Sequence, residues 1–507
     1  MTRTALLLLV AACATPTAAP QTPPKWIADT TSYGQNTSQS TAIADRYRGV
    51  AEKILAAAHN DRSAYQHLAD LTDTVGHRLA GSPELDRAIQ WGVAAMKAEG
   101  LANVHTEKVM VPHWARGIEE AEIVTPHEHA IRVLGLGGSV GTAKGGVTAP
   151  LVVVHDWKEL EAEKDHVKGA IVLYDVAMPA FDPTATEDST GYGKTVGYRF
   201  RGASEAAKRG AVAVLMRSVT ARTLGTLHAG AMGYTEDAPK IPAAAVTVED
   251  AQLLDRMAKR GPVSIHLRMD DQILPDVESA NVVGELVGKG KSGEGPTRST
   301  AEGGAKVDDK SDELVVIGGH IDSWDVGQGA HDDGAGIVTM LGAAALLHKL
   351  GLQPRRTIRV VFWVNEENGV RGAKAYADAH KDELAKTVLA VEDDTGGFEP
   401  QGFRADHKDK DAAKRVVARL AEIASLLQPL HATTVREGGG GTDIEPMEAA
   451  GVPQVGLSVD MHWYFDYHHT DADTLDKVDP QAISDDVAAM AVLAYVVADL
   501  PDRVDAP

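Results

Sequence analysis

Between Gly319 and Gly336 the chain reads GHIDSWDVGQGAHDDGAG, with two histidines, four aspartates, several glycines and no lysine or arginine. Carboxylates crowded without a counter-charge repel one another, so the arrangement calls for bound positive charge. Three other stretches share this character: Glu366 and Glu367 in NEENG, Asp393 and Asp394 in EDDTGG, and His468 and His469 in YHHTDADT. Singly, each has an ordinary explanation. A histidine at a strand end is usually a hydrogen-bonded surface residue, Asp-Asp-Gly a turn, and Glu-Glu a solvated helix start. Jointly, imidazole and carboxylate donors without a thiolate suit zinc, with manganese or cobalt as alternatives. A pair of dications would convert mutually repelling carboxylates into ligands.

Each cluster follows an apolar run. His320 follows LVVIGG, Glu366 and Glu367 follow TIRVVFWVN, and Asp393 and Asp394 end TVLAVEDD. His468 and His469 come after VPQVGLSVD and a short loop. Strands spaced by helices imply a largely parallel sheet covered on both faces. Sites in such sheets lie at the carboxyl ends of the strands. The expected fold is therefore α/β: a mostly parallel, mixed sheet sandwiched by helices, with an inserted α/β unit. The larger domain should occupy 40–145 and 271–507, with a polar, glycine-rich loop at 288–312, and the insert 146–270. The insert carries strands such as PLVVVHD and GAIVLYD but no evident catalytic cluster. Helices are expected at 41–58, at 64–72 and from Pro83, where Ser82 can cap the start and Gly100 suits the end.

The 507 residues hold 50 Lys plus Arg against 72 Asp plus Glu, for a net charge of -22. That acidity excludes a nucleic-acid partner, which needs a basic surface. The single cysteine, Cys13, rules out an internal disulfide and a thiolate zinc site. The N-terminal MTRTALLLLVAACATPTAAPQTPP reads as an export signal and a tether ending near Pro24. Its apolar run is far shorter than the roughly 20 residues that span a bilayer. Val10-Ala11-Ala12-Cys13 resembles a bacterial lipobox, so the expected place is the periplasm or the outer membrane, with a lipid anchor on Cys13, or else plain secretion.

The four clusters together resemble the co-catalytic di-zinc aminopeptidase family, and KIPAAAVTVEDAQLLDRMA resembles that family's protease-associated insert domain. The resemblance runs from about residue 40 onward, apart from the 288–312 loop. It implies two Zn2+ per chain, one held by His320 and Asp394, the other by Glu367 and His469, with Asp332 bridging them. It implies Glu366 as general base and Asp322 as the carboxylate that orients His320. The implied reaction is hydrolysis of short peptides from a free N-terminus by metal-activated water. His331 departs from the resemblance, which leads one to expect an apolar residue there. Tyr464 and Tyr467 are both candidates to steady an oxyanion. Three alternatives stay open: a metallocarboxypeptidase, for which Arg371 or Arg436 could bind the substrate carboxylate; a glutaminyl cyclase; and a receptor-like homologue without catalysis. A homodimer is also compatible with the chain.

Overall fold

The computed structural model describes residues 42–185, 189–289 and 310–507. The expected signal, tether and Cys13 lie outside the described residues, as does most of the 288–312 loop.

Two eight-stranded sheets organise the described chain. At the centre of the first, four neighbouring strands run parallel: Thr357–Trp363, Leu314–His320, Thr387–Glu392 and Gln454–Val459. All but one of their side chains are buried, as expected of strands covered on both faces. Antiparallel partners flank them, so the sheet is mixed, with its parallel part in the middle. Helices Ala335–Lys349 and Pro480–Asp499 pack together over one side, joined by Ala42–Ala58 and Ser63–Thr74. Pro480–Asp499 is long and apolar enough to cross a membrane by composition, but it is nearly all buried and serves as a core helix.

The three expected N-terminal helices form as Ala42–Ala58, Ser63–Thr74 and Pro83–Ala98. Ser82 caps the third through its side chain, which accepts from the Leu85 amide at 3.1 Å.

The second sheet is larger than the sequence suggests. Its strands Val147–Val154, Ile171–Tyr174, Ala213–Arg217 and Ala243–Val246 lie inside the expected insert and run parallel. Glu119–Thr125, His129–Ile131 and Val133–Gly135, which the sequence analysis put in the larger domain, also join this sheet. Glu119–Thr125 pairs antiparallel with Ser264–Met269. Its alternating exposure is that of any half-buried strand, so its own sequence cannot say which sheet it enters. A long antiparallel pair, Ala102–Ala115 with Gln272–Leu286, carries the chain out of the first sheet and back.

Candidate metal centre

The four clusters meet at the carboxyl end of the first sheet. His320 is the last residue of the central strand and pairs in register with Trp363, just before Glu366 and Glu367. Gly318 pairs with Glu392, just before Asp393 and Asp394. The strand Gln454–Val459 leads through the short helix Tyr464–Tyr467 to His468 and His469.

Asp332 stands between two groups. Its Oδ1 is 3.2 Å from His320 Nε2, and its Oδ2 is 3.2 Å from His469 Nε2. His320 Nε2 is also 3.5 Å from Asp394 Oδ1, and His469 Nε2 is 3.2 Å from Glu367 Oε2. His468 lies farther out, 3.7 Å from Asp332, with its ring stacked on His469. The donor atoms of His320, Asp332 and Asp394 gather within one ion's reach, as do those of Asp332, His468 and His469.

The set fits divalent metal on an observation independent of residue type. His320 Nε2, Glu367 Oε1 and Asp394 Oδ1 are buried and have no hydrogen-bond partner. Leaving such atoms unpaired is costly, so buried polar atoms normally find a partner. Here the unpaired atoms converge.

Electrostatics follow from the crowding. Burial, then repulsion from Asp332, pushes the Glu367 carboxyl up to about 7. Burial also raises Asp394. Burial works against protonating the two imidazoles, but the carboxylates outweigh it: His469 rises to about 9 and His320 well above the ordinary range. Asp332 is held well below the carboxylate range by the two imidazoles, despite its burial.

The loop that carries Asp332 is shaped by close approaches. Gly329 adopts φ +59°, and a Cβ there would sit 2.4 Å from Ser323 Cβ. At Gly336 a Cβ would come within 2.0 Å of the Asp393 carbonyl oxygen. Asp333 turns away from Asp332, and its carboxylate accepts from the amides of His320 and Gly336 at 3.0 Å each. The Asp332–Asp333 peptide is cis.

Asp322 does a different job from the expected one. His320 Nδ1 bonds the Asp322 backbone carbonyl at 3.0 Å, while the Asp322 carboxylate stands 3.9 Å away. That carboxylate instead accepts from the amides of Asn365 and Glu366 at 2.7 and 3.1 Å. It fixes the turn that carries Glu366 and Glu367. Glu366 is partly buried, and burial together with repulsion from Asp394, Glu367 and Glu392 raises its carboxyl well above the ordinary value.

His331 is explained by packing. Its ring stacks on Phe398 at 4.4 Å and on Tyr467 at 5.5 Å, and its Nδ1 accepts from the Gly397 amide at 3.2 Å. Burial lowers it to about 4, so it is a neutral structural residue. Tyr467 is thereby committed to this stack. Tyr464 is buried beside His468, where burial and the site carboxylates Asp332 and Asp394 raise its phenol well above the ordinary range. Arg371 is partly exposed and pairs with Asp276, and Arg436 lies exposed on the edge strand Thr434–Glu437.

Comparison with known proteins decides the family. Residues 303–495 match peptidase family M28. The chain is 41% identical to carboxypeptidase Q of Mus musculus over 463 residues, covering 90% of this chain and 91% of the relative. The chain belongs to peptidase family M28. It is a metallopeptidase. The crystal structure of a peptidase M28 precursor from Shewanella amazonensis superposes with a TM-score of 0.82 at 35% identity, covering 90% of this chain and 98% of that one. A zinc aminopeptidase from Bacillus subtilis shares the fold, with a TM-score of 0.57 at 18% identity, covering 88% of this chain and 98% of that one.

Several residues that shape this M28 site escaped the sequence analysis. Arg78, fully buried, donates to the carbonyls of Ile321, Gln328 and Gly329 at 2.6, 2.9 and 3.0 Å. It places a positive charge beneath the loop whose own sequence has none. Asp473 accepts from the amides of His331 and Asp332 at 2.7 and 3.1 Å. It lies in the YHHTDADT stretch, which could have drawn attention to it. Arg78 offered no signal, because its partners are backbone carbonyls.

The second sheet's unit also reaches the site. The Ala229 amide donates to the His469 carbonyl at 2.8 Å, and the Ala229 carbonyl lies 3.3 Å from His469 Nδ1. Arg199 Nη1 is 3.4 Å from that same carbonyl, and its Nη2 donates to the Tyr192 hydroxyl at 2.8 Å. These contacts hold His469 at φ +64°, a strained conformation of the kind found at functional sites.

Proposed function

We propose that this chain is a two-metal exopeptidase that hydrolyses short peptides from a free N-terminus. The observation that carries the reading is Asp332, whose two oxygens each face a different histidine at 3.2 Å. His320, Asp332 and Asp394 would hold one ion, and Asp332, Glu367 and His469 the other. The nitrogen and oxygen donors suit zinc, and a structural neighbour is a zinc aminopeptidase. Bound by these residues, the ions would supply Lewis-acid polarisation of a peptide carbonyl and would make an attacking water more acidic.

The chain's own residues do the rest. Glu366, one residue from a ligand and fixed through its amide by Asp322, takes the proton of the attacking water and passes it to the leaving amine. Tyr464 is the phenol beside the acids and supports the carbonyl oxygen. Asp322 acts on the Glu366 turn, and the Asp322 carbonyl orients His320 by accepting from its Nδ1. Ala229 does the same for His469. The second sheet's unit corresponds to a protease-associated insert that walls the cleft. Export and the lipid anchor at Cys13 belong to the proposal on the sequence alone.

Hydrolysis of alanyl-leucine and of its N-acetylated form, with and without a chelator, tests the reading. The free dipeptide should be cleaved and the acetylated form largely spared, with all activity lost to the chelator. Equal or faster cleavage of the acetylated dipeptide would reverse the polarity to a carboxypeptidase.

A further inference from the structure

The two histidines that face Asp332 are held in different ways. His320 is fixed by its own sheet: its amide donates to Asp333 Oδ2 and its Nδ1 bonds the Asp322 carbonyl, at 3.0 Å each. Among the described residues, no hydrogen bond ties His320 to the second sheet's unit. His469 is gripped from that unit. The Ala229 amide donates to its carbonyl at 2.8 Å, and the Ala229 carbonyl lies 3.3 Å from its Nδ1. One residue thus holds both the backbone and the ring. His469 needs such a hold, because a non-glycine residue at φ +64° keeps that conformation only where its surroundings impose it.

The grip has support behind it. Gly137 donates to the Gly230 carbonyl and accepts from the Met232 amide, at 3.0 Å each, which braces the segment that carries Ala229. Gly137 also lies against Trp324 of the metal loop, and a Cβ there would run into the indole ring. The Trp324 ring is buried, with its centroid 5.6 Å from that of His469. It borders the same small space as Asp332, Glu367 and His469. Arg199 closes the remaining side. Its Nη1 is 3.4 Å from both the Ala229 carbonyl and His469 Nδ1, and its Nη2 donates to the Tyr192 hydroxyl at 2.8 Å. Gly230, at φ +133°, passes so close that a Cβ would strike this guanidinium.

We propose that docking of the second sheet's unit and filling of the Glu367–His469 metal position are one coupled equilibrium, whereas the His320–Asp394 position fills without it. The proposal rests on the two-metal reading above and adds an order of loading: the His320–Asp394 ion first, the other second. Such coupling is reciprocal. By whatever factor docking strengthens the second ion, that ion strengthens docking. Ala229, Arg199 and Gly137 are positioning residues, acting through His469 and Trp324, and their effect falls on one ion.

The test uses the full chain, stripped of metal and reloaded with zinc. Hydrogen exchange of the segment 225–234 is followed by mass spectrometry with no, one and two ions bound. Competition with a chelator gives the affinity of each ion in the native protein and in Gly137→Ala, Arg199→Met and Arg199→Lys. The first ion should leave protection of the segment unchanged. Gly137→Ala and Arg199→Met should weaken the second ion by about 10–100-fold, the usual cost of disturbing a ligand's own partner, and leave the first nearly unchanged. Arg199→Lys should recover part of the loss. In the native protein the second ion should raise protection of the segment by that same factor of about 10–100. The exchange measurement decides the matter even where a variant fails to fold. Protection that rises with the first ion or with neither, or equal weakening of both ions, overturns the coupling and leaves the two-metal reading standing. Binding of a single ion in all overturns the two-metal reading and the coupling with it.

Discussion

Both sheets contain four adjacent parallel strands with acids and a histidine near their carboxyl ends, yet the two ends treat those side chains differently. In the second sheet, His155, Asp175 and Asp255 come close enough to surround an ion. There each carboxylate already has a cation: Asp175 meets Arg217 at 2.9 Å, and Asp255 meets Lys259 at 2.6 Å. No donor atom of that trio is buried without a partner. In the first sheet His320 Nε2, Glu367 Oε1 and Asp394 Oδ1 are all left so. The nearby buried cation, Arg78, gives its hydrogen bonds to backbone carbonyls. The two candidate clusters therefore differ in how many of their ligand atoms are left unpaired. Residue type and proximity are common to both.

That contrast can be broken by mutation. Asp332→Ala should have the largest effect, because both ligand groups lose the anion they share. Metal analysis should find at least one ion missing and activity near background; two tightly held ions would take Asp332 out of the bridge. Glu366→Gln should lower kcat by about 10²–10⁴-fold, the usual contribution of a general base, and keep its metals. Glu367→Gln in parallel should lose metal as well, so the pair separates base from ligand. Arg199→Met should weaken one metal by about 10–100-fold, the usual cost of disturbing a ligand's own partner, as read by competition with a chelator. Asp175→Asn should leave metal content and rate alone while lowering the melting temperature, because it strips Arg217 of its buried partner. Loss of metal in this last variant would erase the distinction between the two sheet ends.

The sequence exposed most of the first region and little of the second. The four clusters holding His320, Asp332, Glu366, Glu367, Asp394 and His469 stood out because each came after an apolar run, and parallel strands bring their carboxyl ends together; the choice of these residues within the clusters came from the family resemblance. The role of Asp322 was misjudged, since sequence spacing cannot tell whether its carboxylate or its carbonyl reaches His320. Arg78 and Ala229 were invisible because they act on or through backbone atoms, which any residue could carry. Arg199 and Tyr192 come from a unit whose sequence shows no evident catalytic cluster. Their importance appears only once that unit is seen to pack against the segment before His469. The start of the second sheet at Glu119 was missed for a related reason: an alternating strand states which face is buried but not which sheet it joins.

The central claim is that Asp332 joins two metal positions at the end of the first sheet. A crystal of the zinc-loaded protein, measured at the zinc absorption edge, tests it most directly. The account predicts two anomalous peaks per chain, one against His320 and Asp394 and one against Glu367 and His469, with Asp332 touching both and nothing at His155. A single peak, a peak at His155, or two peaks not sharing Asp332 would contradict it.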